Sequence, residues 1–158
     1  MGVKIITIGN IKENFIKDGI NEFKKRIKPY ANLEEIELKE TLITDESSSN
    51  IEKALDDEAD KILSKISDRD YVIVLDINGK QYDSADFSKK LEELKINGYN
   101  DFAYVIGSSY GLSKKIKNRA DLKLSFSKLT FPHQLMRLIL FEQIYRWIKI
   151  SKNEPYHK

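Results

Sequence analysis

The chain has 158 residues, 41% hydrophobic and 33% charged, with a formal net charge of +2 and no cysteine. That length suits one domain with a core of its own. The missing cysteine excludes disulfides, thiolate metal sites and a cysteine nucleophile, and it fits a cytoplasmic location. The two histidines argue against a histidine-rich centre, so no metal is expected. No stretch approaches the roughly 20 apolar residues of a membrane helix, and the opening MGVKIITIGN is too short an apolar run for a signal peptide.

The small net charge hides an asymmetry. Residues 112–158 carry 11 Lys+Arg against 3 Asp+Glu, while residues 1–111 carry 16 against 22. A basic end on a near-neutral chain points to an anionic partner, or to a solvated lysine-rich surface.

Residues 3–8 (VKIITI) read as a buried first strand ended by Gly9-Asn10. Phe15, Ile16, Ile20, Phe23 and Ile27 recur at helical spacing across residues 13–27, and Pro29 stops that helix. Ile36 and Leu38 alternate with glutamates, as in a half-exposed strand. Residues 41–50 are polar and serine-rich, hence a loop, with Asn50 capping an acidic amphipathic helix over residues 51–66. The unbroken run 71–76 (YVIVLD) is a strand covered on both faces, closed by an Asn78-Gly79 turn. Ser84 caps a helix over residues 84–96, which ends at Asn97-Gly98. Residues 102–106 form another buried strand, leading into Gly107-Ser108-Ser109-Tyr110-Gly111. A short basic helix over residues 113–119 and a strand over residues 122–126 follow, and Pro132 opens the long final helix.

Strands and helices therefore alternate without repeat. That predicts an α/β fold with a mainly parallel sheet and helices on both faces, in a single domain spanning residues 1–158. Ligands of such sheets bind beyond the carboxyl ends of strands. Three loops qualify, after Leu75, after Ile106 and after Phe126.

Gly107–Gly111 matches the G-x-S-x-G elbow of serine hydrolases, with Ser109 as nucleophile and Asp121 and then His133 or His157 in the required order. The same five residues also read as a tight glycine turn. No dinucleotide-binding or Walker loop occurs. The final helix is apolar nearly all round, from Leu135 to Ile150, so one of its faces is expected to meet a second copy of the chain. His133 and Arg137 lie one turn apart on it. His133 stands at a helix N-terminus, which disfavours its protonated form. The tail Pro155-Tyr156-His157-Lys158 offers groups that stack on bases and contact phosphates.

Several stretches together resemble one known family, the RlmH ribosomal RNA methyltransferases of the SPOUT superfamily. They are KIITIGNIKENF at the start, VIVLDINGK at residues 72–80, DFAYVIG at 101–107, LSFSKLTFPHQLMRLILFEQIYRWIKI at 124–150 and PYHK at 155–158. The resemblance implies an α/β knot, although threaded chains are otherwise essentially absent from such folds. It implies S-adenosylmethionine as cofactor, a homodimer, and methylation at N3 of a pseudouridine in 23S rRNA of assembled ribosomes. On matching positions it implies cofactor contacts from Leu75, Gly107, Phe126, Ser127, Lys128, Leu129, Thr130 and Phe131. His133, Arg137, Tyr156 and His157 are then the expected catalytic groups, the last two from the partner chain. Lys114, Lys115, Arg119 and Lys158 are the expected RNA contacts.

Two departures stand out. The family usually carries a second glycine where this chain has Ser108. If that glycine supplies positive φ or close approach, Ser108 weakens cofactor binding and leaves a non-catalytic RNA-binding relative. Trp147 replaces a usually small residue and is expected to alter dimer packing.

Overall fold

The computed structural model describes residues 1–158. Five strands and five helices alternate along it: β1 (Gly2–Ile8), α1 (Asn14–Ile27), β2 (Asn32–Leu38), α2 (Ser48–Leu63), β3 (Tyr71–Lys80), α3 (Ser84–Ile96), β4 (Asp101–Ile106), α4 (Lys114–Arg119), β5 (Leu122–Leu124) and α5 (His133–Ser151). The strands form one sheet in the order β2-β1-β4-β3-β5, and every pairing is parallel.

The pleat sorts the β-branched runs between two faces. Val3, Ile5, Tyr71, Ile73, Phe102 and Tyr104 pack with α1, α3 and α5 into the larger core. Ile6, Ile8, Val72, Val74, Ala103 and Val105 pack with α2 and α4 into the smaller one. Connections stepping toward β2 carry their helix on the first face and those stepping toward β5 on the second, as crossovers of one hand require. The central strands are covered on both sides, which is why 71–74 and 102–106 are continuous apolar runs. The carboxyl ends of β3, β4 and β5 consequently open side by side.

Some boundaries differ from the sequence expectation. β3 does not stop at Asp76 but runs on to Lys80, because Ser125 N donates to Lys80 O at 3.0 Å and the pairing shifts from Leu75 to Lys80 opposite Leu124. A Cβ on Gly79 would lie 2.6 Å from the Lys123 carbonyl, so glycine there permits close approach to β5. Ser47, not Asn50, caps α2, accepting from Asn50 N, and Asp83, not Ser84, caps α3, accepting from Asp86 N. Pro132 is the N-cap of α5 and not its first helical residue. Phe15 points outward, 67% exposed, while Ile16, Ile20 and Ile27 make the buried stripe of α1.

Trp147 lies in the core and not at an outer face. It is 3% exposed, with ring centroids 4.5 Å from Phe87, 6.1 Å from Tyr104 and 6.3 Å from Phe126. α5 buries Leu140, Phe141, Ile144, Trp147 and Ile148 against the sheet, between α1 and α3. Leu135, Ile139 and Ile150 stay half-buried on its flanks. No helix of the chain is long and apolar enough to cross a membrane.

Candidate active site

Beyond the carboxyl ends of β3, β4 and β5 lies a cleft of about 320 Å³, within the range of small-molecule sites. Its walls are Leu75–Asn78 from β3, Ile106–Ser109, Gly111 and Leu112 at and after the end of β4, Lys117 from α4, Leu124, Phe126, Ser127 and Leu129–Phe131 at and after the end of β5, and His133 and Met136 from the first turns of α5. All three loops expected from the strand-end rule therefore border one cavity. Of the predicted cofactor residues, Leu75, Gly107, Phe126, Ser127, Leu129, Thr130 and Phe131 line it, while Lys128 is exposed beside it.

The 107–111 segment turns tightly. Gly111 N donates to Ser108 O at 2.9 Å, and Gly111 adopts φ 94°. A Cβ on Gly107 would come within 2.3 Å of Gly111 O, so only glycine fits this turn. Ser108, in contrast, does not have positive φ. The backbone there makes no demand that serine cannot meet, and its hydroxyl is buried instead of projecting into the cleft.

Two charged wall residues are not among the predicted site residues: Asp76, which the sequence offers as a strand-end carboxylate or a turn starter, and Lys117. Asp76 Oδ2 lies 3.5 Å from Lys117 Nζ, and both line the cleft. The signal was a carboxylate ending an apolar strand run, which equally fits a turn residue, and indeed Asp76 Oδ1 also accepts from Asn78 N at 3.0 Å.

His133 stands at the rim. Loss of hydration beside the cleft wall pushes its imidazole below the usual value, and the carboxylate of Glu40 opposes that partly. Arg137, one turn on, does not join it in the cleft. Its guanidinium is 3% exposed at the residue level, bonds Glu37 Oε2 at 2.6 Å and Gly9 O at 3.0 Å, and has Glu35 Oε1 at 3.8 Å. Gln134 Oε1 accepts from Lys12 N at 2.9 Å nearby. Together these contacts pin the start of α5 to the ends of β1 and β2.

The tail also lies outside the chain's own cleft. Tyr156 donates to Glu142 Oε1 at 3.0 Å and meets Tyr145 edge-on at 4.8 Å, and His157 Nδ1 is 3.1 Å from an Arg146 nitrogen. His157 borders a second cavity that shares Leu124, Phe126 and Phe131 with the first.

Among the predicted RNA contacts, Lys114 and Lys158 are exposed. Lys115 lies 3.4 Å from Asp60. Arg119 is spent within the chain, donating to Ser67 O and Asp70 O at 3.2 and 3.1 Å and pairing with Asp121.

A Ser–His–Asp triad does not assemble. Ser109 and His133 both line the cleft, but Asp121 accepts from Val72 N at 2.7 Å and pairs with Arg119 away from it. No hydrogen bond orients His133 toward Ser109, which the nucleophile–base logic requires.

The profile of a family described as "Predicted SPOUT methyltransferase" matches residues 1–157. Proteins named "Ribosomal RNA large subunit methyltransferase H" from Streptococcus pneumoniae strains CGSP14 and 70585 are each 52% identical over 159 aligned residues, covering 100% of both chains. The protein of that name from serotype 2 strain D39 is equally similar.

Proposed function

Because the chain belongs to the SPOUT methyltransferase family, we propose that it methylates large-subunit ribosomal RNA at N3 of a pseudouridine, with S-adenosylmethionine as methyl donor. The observation that carries this reading is the single cleft formed by the ends of β3, β4 and β5, with its glycine cradle at Gly107 and an imidazole at the rim.

The residues present fit the donor. The cleft wall is half hydrophobic, and Asp76 and Lys117 set one anion and one cation into it, matching a ligand that carries both a carboxylate and an ammonium group. Gly107 lets the 107–111 backbone approach closely, and Leu75, Phe126 and Leu129 exclude water. S-adenosylmethionine, when bound, supplies an electrophilic methyl carbon held for in-line displacement.

The chain must then handle the imide N3–H, whose pKa lies well above neutral. His133, whose imidazole is pushed below its usual value by lost hydration, stands at the rim where it can accept that proton or bond the base. Arg137 acts by holding the first turn of α5, and so His133, against β1 and β2. The tail completes the site from a second copy. Tyr156, His157 and Lys158 lie outside their own chain's cleft, and the exposed Leu129 with the half-buried flank of α5 offers an apolar face for that copy. Lys114, Lys115 and Lys158 meet phosphates of the ribosomal surface.

Transfer of labelled methyl from S-adenosylmethionine to 70S ribosomes, separated subunits and naked 23S rRNA tests this, with mass spectrometry locating the product. Methylation of one pseudouridine in a ribosomal particle is expected. A folded protein that binds S-adenosylmethionine and modifies none of the three substrates overturns the reading.

A further inference from the structure

Chain ends are ordinarily free unless tied down, and this one is tied at both its root and its tip. α5 closes on Asn153, which adopts φ 53°, a left-handed conformation that asparagine tolerates. Glu154 N donates to Lys149 O at 3.0 Å, and the Glu154 carboxylate accepts from Tyr30 Oη at 2.7 Å and pairs with Lys149. This root turns residues 155–158 back along α5. There Glu142 Oε1 accepts from Tyr156 Oη at 3.0 Å and from Arg146 Nε and Nη2 at 3.0 and 2.6 Å. The Arg146 guanidinium lies 4.8 Å from the centre of the Tyr156 ring, and its remaining arm, Nη1, reaches His157 Nδ1 at 3.1 Å. Gln143 ties the same carboxylate to α3, donating to Glu142 Oε2 at 2.7 Å and accepting from Ser84 Oγ at 2.9 Å.

A guanidinium has donors only and stays protonated. The Arg146 contact therefore requires His157 Nδ1 to be the unprotonated nitrogen, and the ring proton then sits on Nε2. The ring is otherwise exposed, with Arg146 its only hydrogen-bonding partner within the chain. So held, His157 presents an N–H and no free lone pair. It cannot accept a proton, but it can donate to a carbonyl oxygen. An imide that loses its N3 proton spreads the charge onto the two carbonyl oxygens beside it, and a fixed donor there stabilises that charge.

We propose that Glu142 and Arg146 are positioning residues that clamp the tail to α5 and fix His157 as a hydrogen-bond donor to a carbonyl oxygen of the target base. Glu142 aligns the guanidinium and Tyr156 together, and Arg146 selects the His157 tautomer. The N3 proton leaves to another acceptor, the role given to His133 above. The inference rests on the reading of the tail as closing the partner's cleft over a pseudouridine.

Methyl transfer to ribosomes at saturating S-adenosylmethionine tests the clamp, with Arg146→Ala and Glu142→Ala placed in the full chain and in a chain lacking residues 155–158. In the full chain each should lower kcat about tenfold, the worth of a hydrogen bond to a charged group, with S-adenosylmethionine affinity unchanged. In the shortened chain neither should lower it further, because the groups they position are gone. Arg146→Lys, which cannot span both Glu142 and His157, should repeat the loss should the alanine variants not fold. His157→Gln, whose amide N–H reaches the place of Nε2, should transfer about tenfold faster than His157→Leu. A further loss from Arg146→Ala in the shortened chain, or a full-length Arg146→Ala with the wild-type rate, overturns the clamp. Equal rates for His157→Gln and His157→Leu overturn the donor assignment. Each of these results leaves the methyltransferase reading standing, whereas wild type that modifies no ribosomal substrate overturns that reading and the inference with it.

Discussion

Arg137 Nη1 and Glu37 Oε2 meet at 2.6 Å, although a hundred residues separate them in the chain. This pair, with the Gly9 carbonyl on the second arm of the guanidinium, joins α5 to the ends of β1 and β2 beside the cleft. Arg137→Ala should destabilise the fold by about 2–3 kcal/mol in urea unfolding. That is below the 3–5 kcal/mol of a fully buried pair, because Glu37 is half-exposed. Arg137→Lys should recover only part of this, since one ammonium cannot span both acceptors. A large loss of methyl transfer with unchanged stability would instead place the guanidinium in the chemistry.

Gly107 tests the cradle. Gly107→Ala drives a Cβ to 2.3 Å from Gly111 O and 2.9 Å from a Leu112 methyl, so the loop must shift. Affinity for S-adenosylmethionine should drop roughly tenfold to a hundredfold, the effect of an overpacked site. Circular dichroism should stay native, because the turn lies outside both cores. Unchanged calorimetric affinity would mean that this turn does not hold the cofactor.

His133 gives a pH dependence of known sign. Its folded pKa lies below the ordinary value of 6.5. As pH falls below 6.5 the unfolded chain protonates first, so stability declines from there down to the folded pKa and then levels off. If the neutral ring accepts the N3 proton, the rate at saturating ribosome should fall along an acid limb centred below 6.5. His133→Gln should abolish that limb and lower the maximal rate about a hundredfold, the lower end of general-base contributions. A variant with the wild-type rate profile would exclude His133 as the proton acceptor.

The fold was largely legible because the sheet writes itself into the sequence. The runs at 71–75 and 102–106 are continuous and apolar because helices cover both faces of those strands, and the strand-end rule then located the cleft loops. What stayed hidden depends on contacts between distant segments. Lys80 joins β3 only because Leu124 and Ser125 lie beside it. Arg137 reads as a free cation until β2 supplies Glu37. Glu58 looked like one more charge on an acidic helix and is instead buried, although its spacing from Ala54 and Ile62 already set it on the apolar stripe. Trp147 followed the same logic in reverse. A helix apolar all round does not reveal which of its faces meets the sheet and which meets a partner.

Trp147 reports on that core. As the only tryptophan, it should emit at short wavelength in the native state and shift red on unfolding. Trp147→Ala should cost about 3–5 kcal/mol, as for other large aromatic truncations. Trp147→Phe should cost much less, because the indole nitrogen has no hydrogen-bond partner to lose. Neither variant should alter the monomer–dimer equilibrium measured by sedimentation on folded material. A shift in that equilibrium with Trp147→Phe would return the residue to the interface.

The tail separates a site shared between two copies from one closed within a single chain. Tyr156 and His157 rest on Glu142 and Arg146 of their own α5, away from the cleft of the same chain. Removing residues 155–158 should therefore leave S-adenosylmethionine affinity intact while reducing methyl transfer. Assayed at S-adenosylmethionine well below the dissociation constant of the variant, Gly107→Ala should silence transfer through its own cleft while leaving the tail intact. If each tail serves the partner's cleft, co-refolding equal amounts of the two variants assembles mixed dimers with one complete site. About a quarter of wild-type activity should return, since half of the randomly paired dimers are mixed and each carries one working site of two. If each tail serves its own chain, every site in the mixture lacks either its tail or its cradle, and activity stays at the level of the separate variants.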